Sequence, residues 1–287
     1  MKFGAHVSTS GGLHKAFANA KAAGCDTIQI FSKNQQQWKG KALTDAEVTQ
    51  FRTAHAESGI NPLVVHDSYL INLASPDAEL QAKSRAAFAD ELDRCARLGI
   101  PYLVTHPGAH VGSGVEAGLA RVAEALDAIF ASGVGAGVTV LLETTAGQGT
   151  TLGRTFEELA TIIAACKYPD RLGICLDTCH ILVAGYEFRT PETAAQLVAD
   201  FDRIIGIDRL KIIHANDAQK DLGSRTDRHA HIGAGFVGLD GFRSLMLQPA
   251  IRQVPMILET PKENDPQDDI DNLARLRALA KETSNAI

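Results

Sequence analysis

Eight short apolar runs rich in β-branched residues recur along the chain, and stretches with apolar residues at helical spacing lie between them. Strands are predicted at 2–6, 26–32, 62–66, 100–106, 137–143, 171–177, 209–214 and 254–259, with helices over 76–98, 115–132, 155–166, 191–205 and 268–281. Gly or Pro stands at most junctions, as at Gly99, Pro101, Pro191 and Pro255. Eight βα units in 287 residues is about 36 residues each, the size of a repeating unit in a (β/α)8 barrel. An open doubly wound sheet is the rival. It would place a Gly-rich phosphate turn after its first strand, where this chain has Val7-Ser-Thr-Ser-Gly-Gly12. No linker or low-complexity segment divides the sequence, so the expectation is one α/β TIM barrel spanning 1–287.

The predicted strands share a further property. Six of them end in His66, His106, Glu143, Asp177, His214 and Glu259, and the first ends in His6. Side chains on a strand alternate faces. The residues two places earlier are Val64, Val104, Leu141, Cys175, Ile212 and Ile257, all suited to the inner layers of a barrel. The inward stripe is thus apolar until its last position, and the polar ends converge on the C-terminal mouth. A register error of one residue would turn the whole set outward. His180, three residues after Asp177, and the pair Asp227 and His229 in the loop after strand 7 add three loop candidates.

Together these are five His, two Glu and two Asp, a donor set suited to zinc, manganese or iron rather than magnesium. A lone His is more often a core or surface residue than a ligand, and a carboxylate at a strand end can simply cap a helix. Nine at equivalent positions are not independent coincidences. Nine donors with one bridging carboxylate could hold three divalent ions. Those ions (+6) against four carboxylates (−4) would leave a site of about +2, able to attract a phosphodiester despite a net charge of −6. Paired metals suit in-line hydrolysis of such a bond.

Other features carry less. Gly233-Ala-Gly235-Phe-Val-Gly238 fits G-x-G-x-x-G but follows a His-rich loop, and reads as a flexible turn. Gly147-Gln-Gly149 fits a phosphate approach or a plain turn. The five cysteines form no C-x-x-C pair and are expected to be free thiols, with Cys175 in the core. His14 and His55 are expected at the surface, and His110 and His231 near the site. No apolar run approaches the length of a membrane span, and no signal-peptide core is evident, so a cytoplasmic monomer with no membrane partner is expected.

The ordered motifs resemble the endonuclease IV family of zinc-dependent apurinic/apyrimidinic endonucleases. They are Gly4-Ala-His-Val-Ser8, Lys33-Asn-Gln35 with Trp38, His66-Asp-Ser-Tyr-Leu-Ile-Asn-Leu73, His106-Pro-Gly108, Leu142-Glu-Thr144 and Ala146-Gly-Gln-Gly149. Cys175-Leu-Asp-Thr-Cys-His180, His214-Ala-Asn-Asp217, Gly223-Ser-Arg-Thr-Asp-Arg-His229, Ile232-Gly-Ala-Gly235 and Leu258-Glu-Thr260 complete the set. The resemblance implies a DNA-repair endonuclease that cleaves duplex DNA 5′ to an abasic site, leaving a 3′-hydroxyl and a 5′-deoxyribose phosphate. Attack would come from hydroxide generated at a trinuclear zinc site, with manganese a partial substitute. It further implies one ion on His66, His106 and Glu143, a second on Glu143, Asp177, His214 and Glu259, and a third on His180, Asp227 and His229. Glu143, Glu259 and His106 would carry the chemistry. Lys33, Asn34, Gln36, Gln37, Tyr69, Leu70 and Arg228 would contact DNA, with Tyr69 and Leu70 entering the duplex. Gln36 stands where relatives can carry an Arg, so charge and wedging are weaker there. The competing reading is a sugar isomerase or epimerase on a similar barrel, which does not need the third cluster. A non-catalytic metal-storage or DNA-binding protein would instead close the site.

Overall fold

The computed structural model describes residues 1–284. In chain order it contains β1 (Phe3–His6), α1 (Lys15–Ala23), β2 (Thr27–Phe31), α2 (Asp45–Ser58), β3 (Leu63–His66), α3 (Ala78–Leu98), β4 (Tyr102–Thr105) and α4 (Val115–Ala131). There follow β5 (Thr139–Glu143), α5 (Phe156–Ala165), β6 (Leu172–Asp177), α6 (Thr178–Ala184), α7 (Pro191–Ile204) and β7 (Leu210–His214). A small antiparallel ribbon, β8 (Asp217–Ala218) with β9 (His229–Ala230), precedes α8 (Gly238–Met246), β10 (Met256–Leu258) and α9 (Gln267–Ser284). Strands β1 to β7 and β10 pair in parallel and close in the order β1-β10-β7-β6-β5-β4-β3-β2. This is the expected eight-stranded barrel.

Two layers of apolar side chains hold it. The outer layer lies between strands and helices and includes Phe88, Leu92, Phe156 and Phe201, all buried. The inner layer consists of Val64, Val104, Leu141, Cys175, Ile212 and Ile257, each with no exposed surface, as strand parity predicts. Burial pushes the Cys175 thiol up to about 12, so this cysteine is inert core. All five cysteines are free and buried. On β1 the equivalent inward position is Gly4, where a Cβ would lie 1.7 Å from the Thr27 carbonyl oxygen; only glycine lets β1 and β2 approach so closely.

Helix starts follow local chemistry. Thr44 and Glu47 form a reciprocal capping box on α2, and Thr190 caps α7 with Pro191 in the first turn. Each predicted span has an observed element within a few residues of it, whereas α1, α2, α6, α8 and the ribbon stand where no span is predicted, and four site residues need correction. β4 and β10 stop at Thr105 and Leu258, so His106 and Glu259 stand one residue past their strands. His180 lies in the first turn of α6, not in a loop. His229 belongs to the ribbon strand β9. His14 and His55 are half-buried, not surface residues: the His55 ring stacks on Phe17 with centroids 5.6 Å apart. Among the described residues no helix is long and apolar enough to cross a membrane.

Candidate metal centre

The inner stripe turns polar at the C-terminal mouth, where His66, Glu143, Asp177 and His214 end four strands and His106 and Glu259 follow two others. Four groups result, each with donor atoms within 4.8 Å of one another: His66, His106 and Glu143; Glu143, Asp177, His214 and Glu259; His180, Asp227 and His229; and Asp177, Cys179 and His229, which shares Asp177 with the second and His229 with the third. Glu143, fully buried, is the centre. Its Oε2 lies 3.2 Å from His66 Nε2 and 3.3 Å from His106 Nε2, and its Oε1 lies 3.0 Å from His214 Nδ1. Asp177 joins the groups by a local device. As N-cap of α6 its Oδ1 accepts the His180 amide at 2.9 Å, while Oδ2 faces His229 Nε2 at 3.7 Å. One carboxylate both caps the helix and faces the donor cluster.

The second nitrogen of most rings is tied down. His66 Nδ1, His180 Nδ1 and His229 Nδ1 lie 3.0, 2.8 and 3.1 Å from the carbonyl oxygens of Asp67, Thr144 and Glu259. A carbonyl only accepts, so Nδ1 carries a proton, and once the ring is neutral Nε2 turns its lone pair to the cluster. Nε2 of His180 and of His229 are buried and have no hydrogen-bond partner of acceptable geometry. Orphaned buried nitrogens of this kind are costly unless something else fills the place. His214 is reversed. Its Nε2 donates to Gln29 Oε1 at 2.8 Å, leaving Nδ1 toward Glu143 and toward Glu259 at 3.2 Å. The Gln29 amide in turn donates to Glu259 Oε1 at 2.5 Å. Neutral-capable imidazoles, carboxylates and orphaned lone pairs fit a borderline divalent ion such as zinc.

Electrostatics agrees. Burial alone would raise Glu143, yet His214 and His106 hold it well below the usual carboxylate range. Burial likewise opposes ionisation of Glu259, and His214 overrides it. Burial pulls His66 down, but the Glu143 hydrogen bond and charge, aided by Glu259 and Asp67, take it up to about 9.

Gln29 and Asn216 escaped the sequence reading. Gln29 is fully buried on β2, in register with His6 and Val64, and therefore points inward one layer below the donor residues. A polar residue in the inward stripe was the available signal. Asn216 donates to Asp177 Oδ2 at 2.7 Å and accepts the Glu259 amide at 2.7 Å; nothing local marks it. His6 stands beside the cluster, 3.6 Å from Glu259. His110 and His231 lie outside every donor group among the described residues. His110 instead accepts the Gly114 amide of its own loop, and His231 pairs with Asn272. Gly147 and Gly149 form a turn whose Gln148 accepts the Asp227 amide at 3.1 Å.

A groove of about 700 Å³ opens beside the cluster, with His229 and Glu259 on its floor and Asn34, Phe31, Tyr69 and Lys262 on its walls. A recess of about 250 Å³ on the other side of Tyr69 reaches His66 and His106. Asn34, Gln36, Gln37 and Arg228 are exposed, Leu70 is half-buried, and Tyr69 is 68% exposed with its ring edge-on to Phe31. Lys33 differs from the expectation of an outward contact. Its side chain is buried, and its ammonium lies 3.0 Å from Asp90 and 3.5 Å from Glu91.

Residues 17–279 match the family model described as xylose isomerase-like TIM barrel. A probable endonuclease 4 of Chloroflexus aurantiacus is 57% identical over 280 residues, covering 98% of both chains. The crystal structure of endonuclease IV from Thermus thermophilus superposes with a TM-score of 0.86 at 39% identity, covering 98% of this chain and 100% of that one. A D-tagatose 3-epimerase-like protein aligns with a TM-score of 0.77 at 20% identity, a likeness of fold alone.

Proposed function

Because the chain belongs to the endonuclease IV family, DNA-cleaving hydrolases on the xylose isomerase-like TIM barrel, we propose that it incises duplex DNA 5′ to an abasic site. The products would be a 3′-hydroxyl and a 5′-deoxyribose phosphate. It would act as a single-domain cytoplasmic monomer carrying three zinc ions, one for each donor group built from His, Asp and Glu alone, with manganese a partial substitute. The observation that carries this reading is the meeting of nine His, Asp and Glu donors at one mouth, two of them buried nitrogens that face Asp227 without a hydrogen bond. When bound, such ions supply Lewis-acid polarisation of the scissile phosphate and acidification of a water nucleophile.

The chain's own residues set the rest. Glu143 faces two groups through separate oxygens and so fixes their spacing. Being fully buried, it would act on a water only from inside the cluster. His106 and Glu259, with side chains 36% and 18% exposed, line the recess and the groove and would touch the phosphate. Gln29 holds Glu259 and His214 in one orientation. Lys33 would anchor its loop through Asp90 and Glu91, leaving Asn34, Gln36 and Gln37 to meet DNA, with Arg228 toward a phosphate.

Tyr69 presents an exposed ring braced by Phe31 and His66, at centroid distances of 5.5 and 5.9 Å. With Leu70 it suits insertion where a base is missing, since unstacking is cheapest there. Loss of one aromatic contact to a base is worth about 1–3 kcal/mol. Tyr69→Ala should therefore raise KM for abasic duplex roughly 10- to 100-fold. On a single-stranded abasic substrate its turnover should stay close to that of the unsubstituted protein; an equal loss on both substrates would place Tyr69 in the chemistry instead.

A short duplex with one abasic site tests the reading as a whole. Incision on the 5′ side should vanish on chelation and return with zinc, at about three zinc per chain. A fully metallated protein that leaves this duplex intact would overturn it.

A further inference from the structure

The stretch Gly233-Ala-Gly235-Phe-Val-Gly238 has the spacing of a phosphate cradle, and the structure shows it cradling an anion, but an internal one. The Asp217 carboxylate is fully buried. Its Oδ2 accepts the amides of Gly233 and Gly235 at 2.9 and 3.1 Å, and its Oδ1 those of Val237 and Ala218 at 2.8 Å each. The Gly238 amide reaches both oxygens at 3.2 and 3.3 Å. Five backbone donors converge on one carboxylate, and no Lys, Arg or His is among its hydrogen-bond partners. Such a nest binds an anion through aligned amides. Gly235 is required: a Cβ there would lie 2.3 Å from the Ala218 carbonyl oxygen and 2.6 Å from Asp217 Oδ1. The segment is a fastened clasp, not a flexible turn.

The clasp closes the long excursion between β7 and α8. Asp217 stands where the chain leaves, and 233–238 where it returns. Between them the ribbon pairs Ala218 with His229 and Asp217 with Ala230, reinforced by Gln219 Nε2 donating to the His229 carbonyl at 2.9 Å. Asp227 and His229 are the members of the nine carried by this excursion. The other seven come from barrel strands, the residues just after them, or α6.

We propose that Asp217 is a positioning residue for the third metal group, locking the excursion so that Asp227 and His229 meet His180. This rests on the three-zinc reading above. The tip has other tethers: Gly223 and Arg225 donate to the carbonyls of Leu182 and Val183 on α6 at 3.1 and 2.9 Å. The expected effect is therefore weakening of one site, not collapse of three. Changes behind a metal ligand typically cost 10- to 100-fold in affinity.

The test is zinc content after dialysis against a competing chelator, for the unsubstituted protein, Asp217→Asn and Gly235→Ala, with melting of each metal-free form. Asp217→Asn keeps the volume but turns an NH2 toward the amides. Gly235→Ala disturbs the same nest without removing the carboxylate, and it decides the matter if Asp217→Asn does not fold. Each variant should fall from about three zinc to about two, with third-site Kd raised roughly 10- to 100-fold. Incision should recover as zinc is raised, with KM for DNA unchanged, which a general folding defect would not allow. Retention of three zinc at unaltered affinity would overturn the inference, and so would parallel loss from all three groups. Only two zinc in the unsubstituted protein would instead sink the three-zinc reading, before any variant is compared.

Discussion

Glu143→Gln is expected to lower incision turnover by about 10³-fold or more while the barrel remains folded. The residue lies within 3.4 Å of four imidazole nitrogens, those of His214, His66, His106 and His180. An amide of the same volume offers one oxygen where the carboxylate offers two, so it cannot serve two donor groups at once. A tenfold rate change corresponds to about 1.4 kcal/mol, so 10³-fold asks for roughly 4 kcal/mol of transition-state stabilisation. That is within what an electrophilic metal arrangement supplies. The fold should survive because the apolar layer below, Val64, Val104, Leu141, Cys175, Ile212 and Ile257, is untouched. In the metal-free protein the substitution removes a buried anion from its partners, which ordinarily costs about 3–5 kcal/mol. The facing histidines can shed protons and recover part of that. Turnover and metal content measured together check the prediction. Turnover within tenfold of the unsubstituted enzyme at three zinc per chain would remove Glu143 from the shared position.

The barrel and most of the cluster were legible because both rest on short-range periodicity. An apolar residue two places before each polar strand end fixes the parity of that strand, and eight such strands admit few closures. The same reasoning failed where placement depends on distant pairing. Gln29 breaks the apolar pattern of Thr27–Phe31, but its partners His6, His214 and Glu259 appear only when β2 is closed into the barrel. Asn216 acts on Asp177, 39 residues away in sequence. The two-residue ribbon that carries His229 is too short to leave a pattern. The expectation that Lys33 meets DNA rests on the family motif Lys33-Asn-Gln35 alone. The partners that turn it inward, Asp90 and Glu91, come from α3, nearly sixty residues later. The family motifs implied the donor residues one by one, yet they did not say what holds the loops that carry them. The glycine-rich segment shows the difference: its spacing suggested a turn, and only the fold brings Asp217 into it.

Zinc affinity is expected to fall by about tenfold per pH unit for each proton displaced as pH drops below about 9. Zinc takes neutral imidazole, whereas the metal-free cluster favours the charged form. Burial pulls His66 down, but Glu143 overrides it and His66 reaches about 9. Burial also opposes the charge on His180, and Asp177 and Asp227 hold it well above the usual histidine range. Below these values each imidazole must surrender a proton to bind. Burial opposes the charge on His214 as well, and its neighbours Cys175, Glu259 and Glu143 hold it well above the usual histidine range, so with all three contributing the product of the site affinities should steepen toward roughly 1000-fold per unit near neutrality. Above about 9 the His66 contribution to the slope disappears. The sign reverses for the metal-free protein. A raised histidine pKa contributes stability that is full below the unfolded value, 6.5, and lost as pH rises through about 9. Acid therefore steadies the metal-free cluster and weakens the loaded one. Glu143 and Glu259, both held well below the ordinary carboxylate range, stay ionised throughout and add no slope. Competition with a chromophoric chelator from pH 6.5 to 9, corrected for protonation of the chelator, measures the slope. Calorimetry in buffers of different ionisation enthalpy counts the protons released. A flat affinity across that range would mean the imidazoles are already neutral, and that the carboxylates are balanced in some other way. A steep one would show that the imidazolium–carboxylate pairs steadying the metal-free mouth are the contacts zinc must break to bind.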